Sequence, residues 1–394
     1  MKKKLLIIGA SVLQLPAIKK AKEMGLEVAV ADYNPLAIGI PYADKYFKAS
    51  TIDIEAICKV AEDYLPDGIM TLATDMPMRS IATATTKLGL PGITLETAIK
   101  STDKGEMIKA FKEHGVAAPW FFIIENAHSL ESVKEKITFP CIMKPADNSG
   151  SRGVVLVKNA DELAAAYSYS YEHSHGGAVL VEEYLEGNEV SVEVIINKGK
   201  THILEVTDKL TTGNPYFVEM GHSQPSKFVG ADLKAIHLLA ENAVAAVGIK
   251  DGPAHVEIMV TQNGPVMIEL GARMGGDCIT THLVPLSTGI DMIKATIDIS
   301  LGNVPDLEQK QHYGSAIRYF NVPCGTIQSI NGVEEAVKLE GIKEIFITKQ
   351  IGEKSTRIRS SIDRVGMVIA QGFDAKDAVE KCEMAMKMIK IDLL

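Results

Sequence analysis

Residues 5–9 form an apolar run that ends at Gly9, and the next apolar positions, Ala17, Ile18, Ala21 and Met24, recur at helical spacing until Gly25 stops them. Val28-Ala29-Val30-Ala31-Asp32 returns to strand character, so the three segments read as a βαβ unit. The alternation continues with a helix near 53–64, an apolar strand over 68–72 and a helix near 77–88, closed by Gly89-Leu90-Pro91-Gly92. Residues 1–100 therefore read as a small parallel α/β domain. A dinucleotide fingerprint would need glycine at the third and sixth positions from Gly9, but Ser11 and Gln14 stand there. Asp32 suits a ribose contact and equally an ordinary strand end.

From residue 101 the pattern changes. Ser101-Thr102-Asp103 is a helix N-cap cluster before the apolar stripe Met107, Ile108 and Phe111. Strands then dominate, at 121–124, 141–144, 153–157, 179–183 and 190–196, the last running through a turn at 197–200 into 202–207. A helix over 233–247 precedes two alternating runs, 254–260 and 266–270, around Gln262-Asn263-Gly264, which read as a hairpin. This mixture is α+β over 101–300, and strands near 314–320, 344–348 and 365–370 with a helix near 374–390 make a third, α/β segment over 301–394. If the hairpin loop is Gln262 to Gly264, Thr261 pairs with Pro265 and Glu257 lies opposite Glu269. A two-residue loop would instead oppose Glu257 to Leu270. Like charges directly across a pair repel unless something sits between them, which points to a cation on oxygen ligands, with Arg273 on the same face.

The 394 residues exceed one ordinary core and carry a net charge of −9 without clustered lysines, which argues against a nucleic-acid partner. Five scattered cysteines without a CxxC point to a reducing compartment, with neither zinc nor a disulfide framework. Met1-Lys2-Lys3-Lys4 before Leu5 to Ile8 imitates a signal-peptide start, but the charged stretch Ile18 to Glu23 breaks any apolar h-region. No apolar run reaches membrane-spanning length, so no membrane partner and a cytoplasmic location are expected.

Two further stretches carry chemistry. Lys144 leads into the Ser/Gly loop Asp147 to Gly153, whose small residues let backbone N–H groups face a phosphate beside Lys and Arg. No Gly-Lys-Ser/Thr opens a helix there, so it is not a Walker loop. Val181 to Glu189 is a strand running into a Gly turn, able to offer backbone groups to a planar base and the Glu189 carboxylate to ribose hydroxyls.

Lys104, Lys144, Glu182, Glu189, Glu257, Glu269 and Arg273 in this order and spacing resemble the ATP-grasp superfamily over 101–300. The resemblance implies an ATP-grasp fold, two α+β subdomains clamping ATP. An N-terminal Rossmann-like domain (1–100) and a small C-terminal α/β segment (301–394) accompany it, with a lid subdomain at about 140–187. Carried over by position, Lys104 and Lys144 are similar to the phosphate lysines, and Ser149, Gly150, Ser151, Arg152 and Gly153 to the phosphate-covering loop. Glu182, Glu183 and Leu185 resemble the adenine hinge, Glu189 the ribose ligand, and Lys209 a residue facing the γ-phosphate. Glu257 and Glu269 resemble the Mg²⁺ carboxylates, with Mn²⁺ as a substitute, and Arg273 the catalytic arginine. Many members carry Asn two residues after the second metal Glu, where this chain has Gly271.

The resemblance implies a Mg·ATP-dependent ligase joining a carboxylate to an amine through an acyl phosphate, with small-molecule substrates; the sequence leaves the oligomeric state open, a homodimer being one option. Arg273 to Asp277 resembles the amino-acid ligase branch. The Arg-Pro-His stretch of the carboxyaminoimidazole-forming enzyme and the glycine-only phosphate loop of biotin carboxylases are absent from the sequence. Phosphoribosylglycinamide synthetase and a non-catalytic nucleotide-binding protein are the alternatives. Asp75, after Thr74 at the end of the fourth N-terminal strand, and His222 and Ser223 are candidate substrate contacts. His255 reads as packing or as support for a ligand.

Overall fold

In the computed structural model, residues 2–148, 150 and 152–394 are described. Strands Lys45–Lys48, Glu27–Asp32, Lys4–Ile8 and Gly68–Met70 lie in that order as a parallel sheet, flanked by helices that include Leu15–Glu23, Ile54–Tyr64 and Met78–Leu88. At the end of the first strand Gly9 takes φ +97°, and a Cβ there would lie 2.8 Å from Gln14 Oε1. Gln14 fills the space where a pyrophosphate would approach, donating to the Leu72 carbonyl and accepting from Ser11. Asp32 accepts from the backbone N–H groups of Ala10 and Asn34, so it acts as a strand-end cap.

A second, antiparallel sheet orders Phe121–Ile124, Val179–Glu183, Cys141–Pro145 and Val155–Val157. The third sheet is antiparallel and eight-stranded, beginning Gly264–Gly271, Gly252–Thr261, Asn188–Asn197, Lys200–Thr211 and Glu219–Gln224. It continues through Gly314–Tyr319, Gly366–Gly372 and Ile342–Ile347, so the C-terminal strands hydrogen-bond directly into the central sheet. Helix Ala375–Met388 buries Ala378, Cys382 and Ala385 against Ala316, Val368 and Ala370 on this extension.

One apolar core joins Leu6 and Ile8 of the parallel sheet to Val192, Val256 and Leu270 of the central sheet and to helix Gly230–Val247. Each such buried aliphatic contributes about 1.5–3 kcal/mol. This shared core fixes the N-terminal domain against the hairpin, which brings the end of its fourth strand beside Arg273. Among the described residues no helix is long and apolar enough to cross a membrane.

Candidate functional site

The hairpin loop is the two residues Gln262 and Asn263, with Thr261 paired to Gly264 at φ +114°. Continued unbroken, that register would set Glu257 against Ile268. A β-bulge at Ile268 adds one residue, and Glu257 lies opposite Glu269. The expected opposition of the two carboxylates is therefore present, but the three-residue loop expected to produce it is not. Around it the sheet forms a polar grid. Glu257 also faces Ser191, and His255 faces Gly271 on one side and Glu193 on the other. His255 bridges Glu193 (Nδ1 to Oε1, 2.7 Å) and Glu257 (Nε2 to Oε1, 3.1 Å). These two carboxylates outweigh burial and raise the imidazole to about 9.

The hairpin and the antiparallel four-stranded sheet face each other across a cleft. Ile142, Val154, Leu185, Met259 and Met267 make its apolar walls, and Lys104, Lys144, Glu182, Glu189, Glu257 and Glu269 its polar groups. This is a slot for a flat ring with charged groups at one end. Every lysine of the site meets a carboxylate. Lys144 Nζ is 2.5 Å from Glu182 Oε1, and Lys104 Nζ is 3.0 Å from Glu269 while donating to the Asn148 carbonyl at 2.8 Å. Lys209 binds Glu189 and lies 3.2 Å from Glu257 and 3.7 Å from Glu219. Burial lowers the Lys209 ammonium, but its three carboxylates outweigh that and raise it well above its ordinary value. Burial likewise pushes Glu257 up, yet Lys209, His255 and Arg273 hold it well below. At Glu189 burial exceeds the pull of Lys209, and at Glu182 it exceeds that of Lys144, so both carboxyls are raised.

Of the Ser/Gly loop, Gly150 and Arg152 line the cleft, and Ser149 and Ser151 lie outside the described residues. Gly153, at φ +77°, packs against Pro145 and His173 behind the wall. Glu183 and Leu185 line the cleft. Lys209 is buried beneath the acidic wall, clamped among its carboxylates, instead of standing on the surface of the slot.

A second cavity opens between the N-terminal domain and the hairpin. Lys104, Asn148 and Glu269 line both spaces, so the two adjoin at these residues. Arg273 lies in the second cavity, paired bidentately with Asp75 (Nε to Oδ1 and Nη2 to Oδ2, both 2.9 Å). A Cβ at Gly271 would sit 2.7 Å from Asp75 Oδ1 and 3.1 Å from the Arg273 guanidinium carbon. Glycine at 271 is thus what leaves room for this pair.

His222 and Ser223 are buried in strand Glu219–Gln224 and line neither cavity. His222 Nε2 stands 3.5 Å from Asp277, which also takes a bidentate pair from Arg364 at 2.7 and 2.8 Å, with Tyr319 stacked 3.7 Å from the guanidinium. Sequence reasoning missed Arg364, and its only signal is an arginine in a C-terminal segment of otherwise ordinary composition.

Glu257 and Glu269 offer hard oxygen donors in the first cavity, and Glu269 also lines the second. Among the described residues no three acidic, histidine or cysteine side chains converge on one metal position. Two carboxylates completed by phosphate oxygens and water are a normal Mg²⁺ environment, so these residues fit that ion with a nucleotide bound.

Residues 137–281 match the ATP-grasp domain, and residues 318–393 match L-amino acid ligase C-terminal domain 2. An uncharacterized protein, y4rH, of Sinorhizobium fredii is 26% identical over 286 residues, 71% of this chain and 59% of its own length. The chain thus spans well under two thirds of that relative. The L-arginine-specific L-amino acid ligase of Bacillus subtilis is 26% identical over 283 residues, 69% of this chain and 67% of that protein. The crystal structure of an L-amino acid ligase from Bacillus licheniformis superposes with a TM-score of 0.87 at 22% identity, covering 100% of this chain and 99% of that one, a likeness of fold.

Proposed function

Because the chain carries an ATP-grasp domain followed by an L-amino acid ligase C-terminal domain, we propose that it is a Mg·ATP-dependent ligase joining a carboxylate to an amine, with an amino acid among its substrates. The observation that carries this reading is the junction of the two cavities. Lys104 and Glu269 face both, so a nucleotide in the first places its γ-phosphate beside whatever occupies the second.

In this reading the backbone of Glu183 to Leu185 meets adenine and Glu189 meets the ribose hydroxyls. Lys104, Lys144 and the loop from Ser149 to Gly153 receive the phosphates, and binding releases the lysines from Glu269 and Glu182. Glu257 and Glu269 would hold Mg²⁺, or Mn²⁺ with the same oxygen preference, which when bound neutralises charge on the β- and γ-phosphates. A carboxylate oxygen of the first substrate attacks the γ-phosphorus as the bond to ADP breaks, leaving an acyl phosphate. The amine nitrogen then attacks the acyl carbon, the carbon–oxygen bond to phosphate breaks, and phosphate and a proton leave. Arg273, positioned by Asp75, supplies positive charge where the oxyanion develops, the kind of fixed charge that lowers such a barrier most. The match over 318–393 favours an amino acid over a ribosylamine as a partner.

The test is ADP release from ATP across pairs of amino acids and simple carboxylates with amines. At least one pair raises release above the ATP-only rate, and Glu269→Gln abolishes it. If ATP binds and no pair raises release, the protein is a nucleotide-binding regulator and the ligase reading fails.

A further inference from the structure

The second cavity has an uneven charge distribution. Lys104 and Arg273 are each neutralised by a carboxylate, Glu269 and Asp75. Arg79 also lines this cavity, from helix Met78–Leu88, and its Nε donates to Thr102 Oγ1 at 2.9 Å. Among the described residues it forms no ion pair. The third carboxylate of the lining, Asp147, accepts from the Ser174 hydroxyl and from the backbone N–H groups of His175 and Gly176, so Arg79 is suited to an anionic group brought by a ligand, and its planar fork favours a carboxylate.

The same cavity has an apolar rim. Ile52, Ile54 and Met76 line it while 56, 37 and 46% exposed, and Met107 and Leu270 line it deeper. Three large exposed apolar side chains around one opening are an unfavourable surface unless a ligand covers them. A bound molecule that satisfies both features carries a carboxylate and an apolar side chain.

Resting on the ligase reading above, we propose that this cavity is the subsite of the amine-bearing substrate, that this substrate is an apolar α-amino acid, and that Arg79 binds the carboxylate it retains. The group to be activated must lie by Lys104, Glu269 and Arg273, next to the γ-phosphate. Arg79 holds the other carboxylate, which therefore stays out of reach of ATP. The arrangement assigns the two partners by position: a free carboxylate on Arg79 marks the amine donor, and the product keeps that carboxylate as its terminus.

The experiment compares apolar amino acids with their decarboxylated counterparts as amine donors, leucine against 3-methylbutylamine, valine against isobutylamine and phenylalanine against 2-phenylethylamine. ADP release is the readout, in the wild type and in Arg79→Ala and Arg79→Lys. In the wild type kcat/KM favours each amino acid over its amine. In Arg79→Ala this ratio falls about 10- to 100-fold, as expected for a hydrogen-bonded charge pair, and Arg79→Lys restores part of it. Ile52→Asp lowers kcat/KM for leucine relative to lysine. The proposal is overturned if Arg79→Ala lowers amino acid and amine alike, since that is a structural effect. It is also overturned if the ratio does not change, or if polar amino acids outperform apolar ones in the wild type. If no donor at all raises ADP release in the wild type, the ligase reading itself has failed. Active wild type with an unchanged ratio in Arg79→Ala overturns this proposal and leaves the ligase reading standing.

Discussion

Replacing Lys209 by methionine removes one ammonium from among three carboxylates while keeping the straight apolar stem. The Lys209 side chain is 2% exposed, with Glu257 at 3.2 Å, Glu219 at 3.7 Å and Glu189 in direct contact. At an effective dielectric of about 20, the two longer pairs are each worth about 5 kcal/mol of attraction. Desolvation cancels much of that, but breaking a buried pair from one side leaves uncompensated charge, and the net loss is about 3–5 kcal/mol. The loss depends on pH with a definite sign. In the wild type Glu257 is held well below its ordinary value, so its contribution is present above about pH 4.3 and fades as pH falls. Without Lys209, burial acts on Glu189 and Glu257 with less to oppose it and both carboxyls rise. The gap in stability between wild type and variant is therefore largest near pH 8 and closes toward pH 5. Urea unfolding at pH 5, 6.5 and 8 measures it, with ATP binding followed in parallel because Glu189 loses its orientation. A gap that is independent of pH, or that widens as pH falls, would refute the reasoning.

Gly271→Ala places a methyl group against the far end of the Asp75 side chain, which can move without unfolding anything. Thermal stability and ATP affinity are expected to stay near wild type, while kcat falls about 10- to 100-fold because the Arg273 guanidinium is displaced; an unchanged kcat would show that the Asp75–Arg273 pair is dispensable. Arg364→Met strips Asp277 of its bidentate partner at a cost of about 3 kcal/mol near pH 7. Burial raises the Asp277 carboxyl, but Arg364 and His222 hold it far below its ordinary value, so calorimetry should find this cost present above about pH 4 and lost as pH falls below it. His255→Leu strands Glu193, which is 0% exposed, and is expected to lower the denaturant midpoint by the equivalent of about 3–5 kcal/mol. The double variant with Glu193→Leu recovers most of that, and equal midpoints for single and double variants would contradict a paired role for the two.

The sequence carried the local features well. Periodicity placed the parallel domain, the strands of 121–207 and the opening of the hairpin, because each is written in spacings of two or three to four residues. The opposition of Glu257 and Glu269 was legible, but its route was not, since nothing in the apolar alternation marks Ile268 as a bulge. Partners distant in the chain were invisible. Asp75 and Arg273 are 198 residues apart, Asp277 and Arg364 are 87 apart, and each pair exists only because separate elements share a core. Reading Gly271 only as a missing ligand overlooked the close approach of Asp75 and Arg273, which a side chain there would displace. The same limit hid the joining of the C-terminal strands to the central sheet, because antiparallel pairing across more than ninety residues leaves no local pattern.

The central claim is that the substrate carboxylate, and not water, attacks the γ-phosphate beside Lys104 and Glu269. Once a productive pair is found, its carboxylate is labelled with ¹⁸O in both oxygens and the phosphate released in a single turnover is weighed by mass spectrometry. Transfer through an acyl phosphate puts one ¹⁸O atom into each phosphate and leaves the other in the amide. Unlabelled phosphate, or label recovered in AMP, would contradict the account.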